Sequence, residues 1–167
     1  MLEYGSHVGV NLKLLRERLP LCRLYAVEPN REAFEFTQEK LPFVLALNAE
    51  DEGFLRSEFP AEHLTVSFTC SVFFSMEPRR VRRVLKKMCQ ISTTVILAGG
   101  MANINGYRSR FPRICYLHPY SRWLRQCGFT IDRIFDAPDA VPQLDGILVA
   151  RRAVSAPNSA CLAPLLS

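Results

Sequence analysis

Short apolar runs alternate with helix-like stretches along this chain, and that alternation constrains its fold more than any other feature. The runs are RLYAVE at 23–28, FVLALN at 43–48, LTVSFTC at 64–70 and TVILA at 94–98. Near-continuous apolar runs suit parallel strands covered on both faces, because a strand with one wet face alternates apolar and polar residues. Helical spacing fills the gaps. Residues 11–19 place Leu12, Leu15 and Leu19 on one face, and Pro20 stops the run. Asn30 suits the N-cap of a helix over 31–41. Pro78 suits the first turn of a helix in which Val81, Val84, Leu85 and Met88 recur at i, i+3, i+4 and i+7. Residues 101–118 read as a long loop, and 120–127 as a helix with Gly128 at its C′ position. Two last strands, near 130–135 and 146–151, have no helix between them and so form a hairpin. The expected fold is α/β: a doubly wound, mainly parallel sheet with helices on both faces and an antiparallel C-terminal hairpin. Residues 1–153 form one domain, and 154–167, rich in Ser, Ala and Pro, read as a disordered tail.

Composition narrows the class. With 167 residues, 49% apolar and 22% charged, the chain can bury a core without disulfide staples. No apolar run approaches the roughly 18 residues of a membrane span, and MLEYGSHVG lacks the character of a secretory signal. The six cysteines include no CxxC pair. Cys115 and His118, three apart, lack the further partners that a metal needs, so no metal site is expected. Reduced core cysteines and a cytoplasmic location are the simplest reading. The net charge of +5 is concentrated in Arg79, Arg80, Arg82, Arg83, Lys86 and Lys87. These residues form the outer face of the helix that begins at Pro78, and a solvated basic face needs no nucleic acid to explain it.

Glu3, Gly5 and Gly9 stand in the spacing E-x-G-x-x-x-G directly before the first helix. A glycine turn between strand and helix lets backbone approach a ligand closely. Glu28 ends the next strand, 19 residues after Gly9, a usual separation for a carboxylate that binds ribose hydroxyls. In such folds the ligand lies beyond the carboxyl ends of the strands, where strand order reverses.

LEYGSHVGVNLKLL resembles the first motif, E/D-x-G-x-G-x-G, of the class I S-adenosylmethionine-dependent methyltransferases. YAVEPN resembles their second motif, LNAED the segment that frames adenine, and LTVSFTCSVFFSM their fourth-strand segment. The first motif is also similar, more weakly, to that of small methylases of sugar and pseudaminic acid pathways. The resemblance spans about residues 2–152 and implies a Rossmann-like fold with S-adenosylmethionine as cofactor. It implies that Glu3, Gly5, Ser6, His7 and Gly9 surround the amino-acid part of the cofactor, and that Glu28 and Pro29 lie at the ribose. By the same carry-over Asn48, Ala49 and Glu50 frame adenine, and Thr69 and Cys70 sit near the methionine end. Three positions depart from the motifs. His7 replaces the middle glycine, Asn48 stands where an acid is common, and Thr65 where Asp is common. The first strand is a stub with only Met1 and Leu2 before Glu3, as in an N-terminally truncated member of the family.

Methyl transfer is a displacement that depends on positioning, with a base needed only where the acceptor loses a proton. His118, between Tyr116 and Tyr120, is the candidate base. No Asn/Asp-Pro-Pro-Tyr/Phe tetrapeptide and no Pro-Cys dipeptide occurs, so a small-molecule acceptor is favoured over a nucleic acid. A degenerate, non-catalytic binding domain is the other alternative.

Overall fold

The computed structural model describes residues 1–59, 64–99, 116, 118–136 and 146–153. The tail over 154–167 and most of the loop read at 101–118 lie outside the described residues.

The strands are β1 (Leu2–Tyr4), β2 (Leu24–Glu28), β3 (Val44–Asn48), β4 (Val66–Cys70), β5 (Thr94–Ala98), β6 (Phe129–Asp136) and β7 (Gly146–Arg152). The helices are α1 (Val10–Arg18), α2 (Arg31–Lys40), α3 (Asp51–Arg56), α4 (Pro78–Ile91) and α5 (Tyr120–Gln126). One sheet holds all seven strands in the order β3-β2-β1-β4-β5-β7-β6. The first five are parallel to one another, whereas β7 runs antiparallel to both β5 and β6. The C-terminal hairpin is therefore inserted with its second strand innermost. This makes the chain α/β and doubly wound, as the alternation predicts.

The stub at the N-terminus occupies the centre of the sheet. Leu2 pairs with Tyr25 of β2 and with Ser67 of β4, and Glu3 pairs with Ala26 and Phe68. Pairing extends one residue beyond each end. Tyr25 N–H donates to the Met1 carbonyl at 2.8 Å, and Gly5 N–H donates to the Val27 carbonyl at 2.8 Å. Every residue of β1 is buried.

Two apolar clusters sandwich the sheet. Leu12 of α1 and Leu41, just after α2, pack with Leu24, Ala26 and Val44. Phe54 of α3, the inner face of α4 and Leu124 of α5 pack with Leu2, Val27, Val95, Leu97 and Leu148. Helix α4 follows its sequence pattern: Pro78 opens it and Val81, Val84, Leu85 and Met88 are buried. Helix α2 is capped by the Asn30 side chain, which accepts from Ala33 N–H at 3.0 Å.

Coverage is uneven in a way the apolar runs do not reveal. Where β4, β5 and β7 face the α1–α2 side, Val66, Phe68, Ile96, Ile147 and Val149 are only half-buried. Their neighbours on the α4 side, Ser67, Val95, Leu97, Leu148 and Ala150, are fully enclosed. Leu19, read as part of the buried face of the first helix, instead caps α1 and is 45% exposed. Helix α3 is absent from the sequence reading; it is six residues long, too short to show a period.

The central position of β1 has a direct test. Leu2→Ala removes a fully buried side chain and should lower stability by about 2–5 kcal/mol in a urea titration. Leu21→Ala, at a residue 96% exposed, should stay within about 0.5 kcal/mol of the parent. Equal effects from the two would contradict the placement of β1.

Candidate functional site

The turn from β1 to α1 is built from three left-handed residues in five: Gly5 at φ 74°, His7 at φ 49° and Gly9 at φ 75°. Gly5 is required for space as well as for conformation. A Cβ there would lie 2.5 Å from Cγ2 of Val72, in the segment after β4. Gly9 faces α2 and its C-terminal end, where a Cβ would meet Leu41 Cδ1 at 2.5 Å. The third left-handed position falls to a histidine, a residue type that enters this region more readily than most. Its ring is exposed, its N–H donates to Glu28 Oε2 at 2.7 Å, and its carbonyl accepts from the Thr37 hydroxyl at 3.2 Å.

Glu28 ends β2 and links two turns. Besides His7 N–H it accepts Asn30 N–H on Oε1 at 2.8 Å. Each oxygen keeps a further lone pair, since a carboxylate has about four acceptor sites. Asn48 ends β3 in register with Glu28 and donates through Nδ2 to the carbonyls of Glu28 and Pro29, at 2.8 and 3.1 Å. Ala49 is half-buried, and Pro29 and Glu50 are exposed beside it. Thr69 is enclosed and Cys70 half-buried at the end of β4. The structure therefore brings Glu3, Ser6, His7, Glu28, Asn48 and Thr69 to the carboxyl ends of four adjacent parallel strands. Strand order reverses between β1 and β4, within that row.

Three buried oxygens in this row have no hydrogen-bond partner among the described residues: Glu3 Oε2, Ser6 Oγ and Thr69 Oγ1. Buried polar atoms are nearly always paired, and leaving one unpaired costs about 1–3 kcal/mol. Glu3 is 1% exposed, and its other oxygen accepts from Asn11 Nδ2 at 2.7 Å. Burial pushes its pKa up to about 7, against the Asn11 hydrogen bond, which lowers it; the Glu28 charge raises it further.

His118 lies buried beside the turn that follows β4. It is 1% exposed, with Nε2 at 2.7 Å from the Phe73 carbonyl and its ring against Tyr116, Tyr120 and Trp123. Burial lowers its pKa, which favours the neutral ring. Tyr116 N–H donates to the Phe74 carbonyl at 2.7 Å, so Tyr116 and His118 are each tied to the 3-10 turn Phe73–Ser75 that follows β4. Thr65, at the position where Asp is common, is exposed and accepts on its carbonyl from Thr94 N–H at 2.9 Å.

Sequence reasoning missed Asn11, Tyr4 and Asp51. Asn11 holds the buried acid. The Tyr4 hydroxyl donates to Asp51 Oδ1 at 2.6 Å, and Arg80 Nε binds Asp51 Oδ2 at 2.6 Å. This places α3 against the end of β1. The acidic pair Asp51 and Glu52 in the first turn of α3 was the available signal. Arg83 pairs with Glu52 at 2.5 Å. The basic face of α4 is thus partly neutralised by α3.

No family model matches the chain, and no curated protein matches it significantly. Solved structures do. Magnesium protoporphyrin IX methyltransferase from Synechocystis PCC 6803, solved with bound S-adenosylmethionine, superposes with a TM-score of 0.68 at 13% identity, over 91% of this chain and 69% of that one. The methyltransferase SibL gives 0.67 at 17% identity, over 90% of this chain and 49% of SibL, so the chain spans about half of that protein. Geranyl diphosphate C-methyltransferase from Streptomyces coelicolor A3(2) gives 0.66 at 12% identity, over 91% and 70%. The chain has the class I S-adenosylmethionine-dependent methyltransferase fold. The narrower likeness to sugar-pathway methylases gains no support from these structures.

Among the described residues no helix is long and apolar enough to cross a membrane, and no group of three or more His, Cys, Asp or Glu could hold a metal.

Glu3 makes the stability of this methyltransferase fold depend on pH. Its folded pKa of about 7 lies above the ordinary 4.5, so between these values the folded state holds a proton that the unfolded chain has released. Stability from this group is fully present below pH 4.5 and is lost as pH rises to 7, at about 1.4 kcal/mol per unit. Glu3→Gln mimics the neutral acid and should remove that slope. In urea titrations the variant should match the parent near pH 4.5 and exceed it by about 3 kcal/mol at pH 8. A constant difference across that range would contradict the assignment.

Proposed function

We propose that this chain is an S-adenosylmethionine-dependent methyltransferase domain acting on a small-molecule acceptor in the cytoplasm. The observation that carries the reading is the trio of unpartnered buried oxygens, on Glu3, Ser6 and Thr69, beside the left-handed glycine turn. A ligand with an ammonium, a carboxylate and hydroxyl groups satisfies such atoms, and these are the groups of the cofactor's amino-acid and ribose parts. In this reading Glu3, Gly5, Ser6 and Gly9 form the cradle for the amino-acid end, with Thr69 and Cys70 closing its other side. Glu28 and Pro29 receive the ribose. Asn48, Ala49 and Glu50 border the adenine, with Asn48 held by its two donated bonds so that its oxygen faces outward as an acceptor.

When bound, the cofactor supplies a sulfonium methyl for in-line displacement. The chain's own work is orientation and exclusion of water. Glu3, ionised, complements positive charge. Glu28 holds the ribose through lone pairs left over from His7 and Asn30. His118 supports the turn after β4 through the Phe73 carbonyl; if it also serves as a base, it does so as a neutral ring. Small acceptors are favoured because the porphyrin and geranyl diphosphate enzymes share the fold, and because Arg80 and Arg83 of the basic helix are engaged by α3. The second reading, a non-catalytic binding domain, draws on His7 at the middle-glycine position, whose N–H already occupies Glu28.

Calorimetry with S-adenosylmethionine and S-adenosylhomocysteine tests the proposal. Both should bind, more tightly as pH rises through 7, because Glu3 must release its proton to meet a cation. Glu28→Ala should weaken binding by about 1.5–3 kcal/mol, the range for hydrogen bonds to charged groups, or roughly tenfold to hundredfold. Absence of binding by folded protein would overturn the reading.

A further inference from the structure

Away from the strand ends, α4 and α5 present two thiols to one open hollow of about 210 Å³, lined by Lys86, Cys89, Gln90, Gln126, Cys127 and Arg152. Cys89 lies on the buried face near the end of α4, and Cys127 is the half-buried C-cap of α5. The two belong to the same apolar cluster, Cys89 in its core and Cys127 packed against it. Burial, and next the neighbouring Cys127 thiol, push the Cys89 thiol well above its usual range. Both residues are held in place by their surroundings. Cys127 N–H donates to the carbonyls of Trp123 and Leu124 at 3.2 and 3.0 Å. The Arg152 guanidinium donates to the carbonyls of Cys89 and Ser92 and lies over the Phe129 ring at 5.1 Å.

We propose that Cys89 and Cys127 form a reversible redox pair, closed to a disulfide by exchange with small-molecule disulfides. Nothing in the methyltransferase reading uses either thiol. Cys127, the more exposed, reacts first: its sulfur bonds to one sulfur of the reagent, the reagent's S–S bond breaks, and one thiol leaves carrying Cys127's proton. Cys89 then attacks the Cys127 sulfur, the mixed disulfide breaks, and a second thiol leaves. The two protein thiols lose two electrons, and one reagent disulfide is reduced to two thiols. The high pKa of Cys89 slows the second step without preventing it, because the attack is intramolecular. The bond ties the end of α4 to the end of α5 and closes the stretch that carries His118, so the oxidised form should resist unfolding more strongly.

The probe is 2,2′-dithiodipyridine on the folded chain, read by release of the coloured thione and by peptide mapping. The expected product is a Cys89–Cys127 linked peptide that dithiothreitol reverses, with a higher melting temperature than the reduced form. In Cys89→Ser the thiopyridyl adduct should persist on Cys127, since its resolving thiol is gone. Should that variant fail to fold, the wild-type map still decides. A stable adduct on wild-type Cys127, or a bond from Cys127 to any other cysteine, would overturn the proposal. Cofactor binding by the reduced chain is a separate measurement, so its failure leaves this result standing.

Discussion

The Glu28 carboxylate is the interaction on which the arrangement of the strand ends depends. One oxygen takes the N–H of His7 and the other the N–H of Asn30. A single side chain at the end of β2 therefore fixes the turn after β1 and the entry to α2. Charge-assisted bonds of this kind are about twice as strong as neutral ones. The left-handed backbone at His7, which a β-carbon opposes, has this bond and the Thr37 hydroxyl to hold it. Asn48 then locks β3 to the same corner through the Glu28 and Pro29 carbonyls. The carboxylate joins the β1–α1 turn to the start of α2, the adjoining backbone carbonyls hold β3, and the row of buried oxygens lies beside them.

Much of this fold was legible in the sequence because its signals are local. The apolar runs at 43–48 and 94–98 fall on β3 and β5 almost residue for residue, and the i, i+3, i+4 pattern after Pro78 gives α4. The E-x-G-x-x-x-G turn and Glu28 came from spacing alone, and both stand at strand ends. What escaped depends on contacts distant in the chain. Insertion of β7 between β5 and β6 is a choice of partner, and no single strand carries that information. The half-buried face of β4, β5 and β7 reflects where α1 and α2 end up, not how apolar the strands are. Asn11, Tyr4 and Asp51 acquire their roles only when α1 and α3 dock on β1.

His118 shows the same limit from the opposite direction. Its place after the long loop, between two tyrosines, makes it a candidate base as well as an ordinary loop histidine. Its burial, aromatic surroundings and bond to the Phe73 carbonyl tie it to the backbone beyond β4. Sequence proximity to aromatic residues describes a core histidine and a substrate-facing one equally well. In the fold Nε2 is taken by the Phe73 carbonyl, and Nδ1 is buried without a partner among the described residues.

The unpartnered oxygens on Glu3, Ser6 and Thr69 explain why such a site is destabilising by itself. A buried carboxyl with a pKa near 7 and two hydroxyls without partners together cost the empty fold several kcal/mol, about 1–3 for each unsatisfied group. This is a large part of the 5–15 kcal/mol typical of a whole domain. A ligand that supplies a cation to Glu3 and partners to the hydroxyls recovers that loss as binding energy. If the proposed site binds such a ligand, stability and affinity are linked through the same three atoms. A substitution that quiets one of them, such as a neutral residue at position 3, strengthens the empty fold and weakens the ligand by related amounts. The sequence holds an acid at the centre of its sheet against the preference of the core, and the ligand proposed for the site is the kind that would make that acid favourable.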